Sequence, residues 1–462
     1  MRLIKYNRSA LVCGALILFH GFSLQAAAQT AAIDAGTVYQ TMDGFGGENG
    51  GPWSFAVGNT LTTAQANLLF STTSGIGISI YRTDSADSTS TSTISFPDMT
   101  AMQQAQALGV PVELSEQSPP SYMKYSGYYY DGTIGSSSSC LSAGYSTYAA
   151  YIVAQLTYLK NNGVTVTWLD VQNEPGGITT GAEVNGFGTC GWGASQLDAF
   201  VDVLGPALAS AGFGSVKLML ASMFSYSNSQ NYFDTCVSDS TCNGSISVLS
   251  GHGYGYPDTP VLYADPGKHF WMSETSPNEE TVFNPNMDSA LIMAENMQSF
   301  LQIGQVSAYE WWQLGYQNGG GTGNCVNCGL VDQNFNPTKR YFAFGNYSEF
   351  VRPGQVEIAA TQSPQSGVTV TAFENQATGA FEIVAINSNG SSVSQAFNLT
   401  GVSTNSVVPY ITDPNNNLAS QPSVAVTSGS FTATLTPSSV TTFVSSGGRP
   451  PAPSNLSGTI VQ

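Results

Sequence analysis

Apolar residues return along this chain in two rhythms that trade places. Between residues 40 and 350, short β-rich runs alternate with longer stretches whose apolar positions recur every three or four residues. The runs are Asp43–Gly46, Gly77–Arg82, Val110–Ser115, Val166–Val171, Val216–Leu220, Val248–His252, Phe270–Ser273 and Val306–Trp312. Helical periodicity fills Tyr148–Asn161, Ala194–Ala211 and Asp288–Leu301. Eight strand–helix repeats in about 300 residues predict an α/β chain closed into a (β/α)8 TIM barrel.

After Arg352-Pro-Gly354 the rhythm shortens to alternating runs such as Val368–Phe373, Phe381–Ile386 and Phe431–Leu435, with Gly, Asn and Ser turns between them. This pattern predicts an attached antiparallel β-sandwich side domain over 355–446, with residues 31–39 adding a strand to it. The barrel is expected to span 40–350, and the Pro-rich tail 447–462 reads as a linker. Residues 1–28 have the form of a signal peptide. Arg2, Lys5 and Arg8 precede an apolar stretch, and Ala26-Ala27-Ala28 offers a small-residue cleavage site.

With that peptide removed, nine basic residues face 30 acidic ones, a balance of −21. So acidic a surface is unsuited to nucleic acid or anionic membranes, which call for clustered Lys or Arg. Charged residues are only 9% of the chain and aromatics 11%, a composition suited to a secreted, monomeric protein handling neutral polysaccharide or oligosaccharide. Six cysteines remain after Cys13 is lost, an even number consistent with disulfides in an extracellular or periplasmic setting. Proximity suggests Cys140 with Cys190, Cys236 with Cys242 and Cys325 with Cys328, although fifteen connectivities are open to six cysteines. Cys325 and Cys328 lack a second ligand pair, so neither a metal nor a cofactor is expected.

Candidate chemistry concentrates at the strand ends. Glu174 closes the run Trp168–Glu174, and Glu274 closes His269–Glu274. Active sites of (β/α)8 barrels lie at the carboxyl ends of the strands, and two carboxyls there are the minimum equipment for glycosidic cleavage. One protonates the leaving oxygen and the other attacks the anomeric carbon, which places them about 5–5.5 Å apart in a retaining enzyme. Arg82, Tyr254 and Trp312 fall near the same mouth. Arg82 reads either as an internal ion partner or as the group that keeps Glu274 ionised. Tyr254 reads as core or as a hydroxyl orienting Glu274. Trp53, Tyr122 and Trp312 read as cleft lining, with barrel packing the other reading for Trp312. Glu116 and Glu310 are rival carboxyls, expected to be hydrogen-bonding neighbours. Histidine chemistry is disfavoured, since only His252 and His269 lie beyond the signal peptide.

Six stretches in order carry a resemblance: Met42–Gly47, Ser118–Lys124, Val171–Pro175, Trp271–Glu274, Ala308–Trp312 and Tyr347–Gly354. Together they resemble glycoside hydrolase family 30, a barrel with a tightly attached β-sandwich. The resemblance implies that Glu174 is the acid/base, that Glu274 is the nucleophile and that Asn173 binds the sugar 2-hydroxyl. Gln172–Pro175 with Thr189–Trp192, and Trp311-Trp312 followed by Lys339–Tyr341, are similar to the xylan-cleaving branch, which implies an endo-β-1,4-xylanase. Glucuronate-dependent members carry an arginine soon after the Trp pair, whereas this chain reads Gln313-Leu-Gly-Tyr-Gln317, so strict glucuronate dependence is not expected. β-1,6-Glucanase or β-1,6-galactanase activity is the enzymatic alternative. A non-catalytic carbohydrate-binding protein is the alternative of another class.

Overall fold

The computed structural model describes residues 30–48, 61–85, 94–125, 127, 140–175, 190–254, 260–264, 267–276, 283–315 and 328–446. The signal-like segment, Trp53, Thr189, Gln317, Cys325 and the Pro-rich tail lie outside the described residues.

Eight parallel strands close a barrel: β2 (Gly44–Glu48), β3 (Ile80–Asp84), β4 (Val112–Ser115), β5 (Val166–Asp170), β6 (Lys217–Met223), β7 (Ile246–His252), β8 (His269–Glu274) and β9 (Ala308–Trp312), with β9 returning to β2. Each is one of the expected runs, with ends shifted by a few residues. Helices pack outside, and local chemistry sets their limits. Thr62 caps Thr63–Phe70 in a reciprocal capping box with Gln65. Asp98, before Met99–Ala107, instead accepts from Tyr81 at 2.9 Å and Thr83 at 2.7 Å, tying that helix start to β3.

The period-two alternation of the strands stacks the barrel interior in layers. At the amino ends, Ile80, Trp168, Met219, Val248, Trp271 and Ala308 form a dry plug. One pleat higher the interior turns polar, with Arg82, Glu113, Asp170, Ser250, Ser273 and Glu310 all buried. The fold therefore supplies an apolar floor, a charged middle layer and, above it, the strand ends that carry Glu174 and Glu274.

The side domain is one sheet of ten strands built from β1 (Ala31–Thr41), β10 (Val356–Ala360), β11 (Val368–Asn375), β12 (Ala380–Asn387), β13 (Val393–Thr400), β14 (Ser406–Thr412), β15 (Ala419–Ser420), β16 (Val424–Ala425), β17 (Ser430–Leu435) and β18 (Ser439–Ser445). It is antiparallel except where β1 runs parallel to β13. It curls around its own apolar core, in which Phe397, Phe431 and Phe443 stack on one another. Its other face joins the barrel core through Phe373, Val384, Ile386 and Tyr410. Polar links lock the seam. Asn346 donates to the Tyr410 carbonyl and Thr442 hydroxyl at 3.0 Å, and the buried Lys339 donates to the Asn416 carbonyl at 2.9 Å. Two expected disulfides are formed, Cys140–Cys190 and Cys236–Cys242. Cys328 is also disulfide-bonded.

Candidate active site

Glu174 follows β5 in an unusual backbone state. Its φ is +47°, a region costly for a residue with a Cβ. Its N–H is held by the Ser222 carbonyl at 3.0 Å, and Ser222 itself has a φ of +36°. Two neighbouring strand ends thus hold one another in strained turns, aiming the Glu174 side chain inward over the barrel. Glu274 is the last residue of β8 and is 8% exposed. One oxygen from each carboxylate and a ring nitrogen of His252 all lie within 4.8 Å of one another. That spacing matches the short separation of retaining glycosidases and is well under the ~6.5–9.5 Å of inverting ones.

Both Glu274 oxygens are engaged. Tyr254 donates to Oε1 at 2.9 Å, and Arg82 forms a short ion pair with Oε2. Burial pushes this carboxyl's pKa up, but the His252 and Arg82 charges and the two donated hydrogen bonds outweigh it and hold it below the usual value. Glu274 is therefore an ionised carboxylate, as a nucleophile must be. Tyr254, between Glu274 and Ser276, has its phenol pushed well up by burial and by the Glu274 charge, so it remains a donor.

Arg82 is wholly buried and reaches five partners: Glu274, Glu48 at 3.0 Å, Ser115 at 3.0 Å, Asn173 at 2.8 Å and Glu113 at 3.5 Å. Both readings of Arg82 hold together, since the internal ion partner is also the group that grips Glu274. Asn173 accepts from Arg82 and donates to Gln117 at 3.0 Å, and Gln117 donates to Asp84 at 2.5 Å. Among the described residues, one amide N–H and one lone pair of Asn173 are not used by a neighbour. Gln172 is fixed by the Trp192 indole at 3.1 Å, so the Cys190–Trp192 strip buttresses the Glu174 turn.

His252 is the residue that sequence reasoning missed. Its Nδ1 lies 3.0 Å from Glu174 Oε1 and 3.8 Å from Glu274 Oε1. Burial lowers its pKa, but the Glu274 charge and the Glu174 contact reverse this and raise it. Histidine was set aside as a catalytic centre by scarcity alone. The signal that could have found it was position: His252 ends β7, two residues before Tyr254. Other expectations divide. Tyr122 is 52% exposed beyond β4 and Trp312 is partly exposed at the end of β9, but among the described residues neither hydrogen-bonds to the carboxyl cluster. Glu116 bonds to Tyr148 at 3.1 Å and Gln155 at 2.7 Å, and burial pushes its pKa up to about 8, so it is a neutral structural neighbour. Half-exposed Phe224, also unforeseen, stacks on Tyr254 at 5.2 Å. Glu174, His252 and Glu274 are close enough to clasp a cation. However, Arg82 and Tyr254 already hold the two Glu274 oxygens.

The glucuronoxylanase XynC of Bacillus subtilis (strain 168) is 27% identical over 426 residues, covering 90% of this chain and 92% of that protein. An endoxylanase of glycoside hydrolase family 30 from Clostridium papyrosolvens C71 matches with a TM-score of 0.70 at 27% identity, over 90% of this chain and 99% of that structure. In sequence and fold this chain is similar to xylanases of glycoside hydrolase family 30. The family 30 subfamily 8 xylanase Xyn30A of Clostridium acetobutylicum has the same fold, with a TM-score of 0.74 at 24% identity over 90% of this chain and 99% of that one. No family model matches the sequence. The barrel with its curled side sheet is thus the architecture this chain shares with those xylanases.

Proposed function

We propose that this protein is a retaining endo-β-1,4-xylanase in which Glu274 is the nucleophile and Glu174 the acid/base. The observation that carries the reading is the close approach of the two carboxylates, with Glu274 held ionised by Arg82 and Tyr254. In the first step Glu274 attacks the anomeric carbon while Glu174 passes its proton to the leaving oxygen. In the second, Glu174 takes a proton from water, which displaces the glycosyl group from Glu274. Covalent attachment removes the Glu274 charge, which favours Glu174 as a base at that stage. His252 fixes the orientation of Glu174 in both steps, and Asn173 offers its spare N–H and lone pair to the sugar beside the reacting carbon.

The relatives point to xylan, and one of them is named for a glucuronate-bearing form. The cations of this chain argue against dependence on that branch. Of the nine basic residues beyond the signal-like segment, Arg82 is consumed by carboxyls, and Lys124 is buried against Ser118 at 3.0 Å. Lys217 and Lys268 stand at the amino ends of β6 and β8, away from the mouth. Lys160 lies in the last turn of Tyr145–Asn161. Lys339 is held by the Asn416 carbonyl of the side sheet, Arg340 by the Asn284 and Gly329 carbonyls of the loops that follow β8 and β9, and Arg352 by the Gly77 and Ser348 carbonyls. Arg449 lies in the tail, outside the described residues. A glucuronate would have to be recognised without a dedicated arginine fork, which forfeits the strong bidentate contact that makes a branch obligatory.

Product mapping on linear xylo-oligosaccharides, glucuronoxylan and β-1,6-glucan tests both levels. Comparable cleavage of the first two is expected. A product ladder with glucuronate at one fixed position overturns the specificity, and action confined to β-1,6 linkages overturns the xylanase reading. Export is proposed on the signal-like residues 1–28 together with the disulfides.

A further inference from the structure

The left-handed turn at Glu174 is held by more than its own strand. A φ of +47° costs about 1–3 kcal/mol and persists only where the surroundings over-determine it. The peptide that joins Asn173 to Glu174 is gripped on both edges. Its N–H donates to the Ser222 carbonyl at 3.0 Å, and its C=O accepts from the Gln172 side-chain amide at 2.9 Å. The second N–H of that amide goes to the Gln117 carbonyl at 2.8 Å. Gln172 is buried, and these two bonds use both of its donors. Trp192 decides which way round the amide sits. An indole N–H can only donate, so at 3.1 Å it calls for the Gln172 oxygen and turns the amide nitrogen toward the two carbonyls.

Trp192 is itself fixed on several sides. Its ring is buried and stacks on Phe200 at 5.3 Å and on Tyr148 at 6.5 Å. Its backbone N–H donates to the Pro175 carbonyl at 2.7 Å, and its carbonyl accepts from the Tyr232 hydroxyl at 2.6 Å. Trp192 therefore reaches the Glu174 turn from both ends, through Gln172 before it and Pro175 after it. Two residues back, the Cys140–Cys190 disulfide ties this strip to the segment beyond β4, where the Cys140 N–H also donates to the Gly191 carbonyl at 2.9 Å. Glu274 is held by a different set, Arg82 from β3 and Tyr254 beyond β7.

We propose that Gln172 and Trp192 are positioning residues for proton transfer by Glu174, with the Cys140–Cys190 disulfide as their outer anchor. This rests on Glu174 being the acid/base. The relay fixes the backbone from which the carboxyl is aimed, while His252 meets the carboxyl itself at 3.0 Å. Without the relay the Asn173–Glu174 peptide can swing and carry the carboxyl off the leaving oxygen, and a shift of about 1 Å is enough for a loss of about 100-fold. Attack by Glu274 is spared. The bond between the two cysteines thus has a catalytic role beside its contribution to stability.

The test compares kcat/KM on an oligosaccharide, whose leaving alcohol needs a proton, with kcat/KM on a dinitrophenyl glycoside of the same sugar, whose leaving group needs none. Trp192→Phe keeps an aromatic ring and deletes the N–H. It should lose about 10- to 100-fold on the first substrate and less than about threefold on the second, within the range open to general acid catalysis. Gln172→Met removes both polar ends of the amide at nearly the same length. It should give the same split, and it serves in place of Trp192→Phe if that variant does not fold. Cys140→Ala/Cys190→Ala, assayed where it remains folded, should show the split at about 10-fold; a folded pair variant without it overturns the role of the disulfide. Added to Glu174→Gln, Trp192→Phe should cost less than about threefold more, because a positioning residue has nothing left to aim once its acid is gone. Equal losses on both substrates, no loss on either, or losses that multiply in the double variant overturn the proposal. Failure of the acid/base assignment has its own sign, Glu174→Gln without any split between the two substrates.

Discussion

Tyr254→Phe isolates one of the two groups that hold Glu274, the proposed nucleophile. The substitution deletes the phenol oxygen 2.9 Å from Glu274 Oε1 and keeps the ring, with its stack on Phe224 at 5.2 Å and its edge contact with His252 at 5.8 Å. A hydrogen bond to a charged acceptor contributes about 1.5–3 kcal/mol. Its donor favours the ionised form of Glu274, so its loss raises that carboxyl's pKa by about one to two units. The acid limb of kcat/KM moves up by that amount and the basic limb stays. Negative charge leaves Glu274 as it attacks, so part of the bond is surrendered in the transition state in any case. Any loss of kcat/KM at the optimum therefore reflects misplacement of the freed carboxylate rather than the energy of the bond, and about 10-fold is expected. The assay is a kcat/KM–pH profile on an activated aryl xyloside and on xylan, with thermal unfolding as a control that should change little. An acid limb that stays in place while kcat/KM falls less than about twofold would falsify the role given to Tyr254.

Glu274→Ala should abolish turnover, and azide or formate should restore part of it on an activated substrate with inversion at the anomeric carbon. Near-normal activity without the added anion sinks the nucleophile assignment. Glu174→Gln should slow substrates with poor leaving groups by about 100- to 10,000-fold and spare good ones; equal losses for both would remove Glu174 from the acid role. Cys140→Ala/Cys190→Ala opens a 50-residue loop and should cost about 4 kcal/mol by chain entropy, against about 2 kcal/mol for the six-residue Cys236–Cys242 loop. Denaturant titration should rank the two pairs in that order, and a larger loss at the short loop contradicts the chain-entropy account.

The barrel was legible because each strand is a dense apolar run bounded by helical periodicity, a local signal that needs no partner to be seen. Glu174 and Glu274 were legible for the same reason, as carboxyls at the ends of such runs. The supporting layer was not. Glu113 lies inside Val112–Ser115, where one acid among apolar neighbours looks like a solvent-facing strand position until the barrel closes around it. Glu48 and Arg82 meet only through the register of two strands 34 residues apart. The scarcity of histidine hid His252, although its place at a strand end carried the information. The parallel pairing of Ala31–Asp34 with Phe397–Thr400 leaves no local periodic trace, so the course of the side sheet could be anticipated only as extra strands.

That pairing has a consequence for how the chain is made. Among the described strands β1 is made before the rest, yet its two neighbours, β10 and β13, lie more than 300 residues further on. While the ribosome works through the barrel, the leading strand has unpaired edges and must wait. Contacts so distant in sequence close late and slowly. Translation order therefore runs against assembly order, with the first strand among the last to dock. A truncation that removes the side sheet would strand β1 beside a finished barrel, so the two units cannot be cut apart as beads on a string.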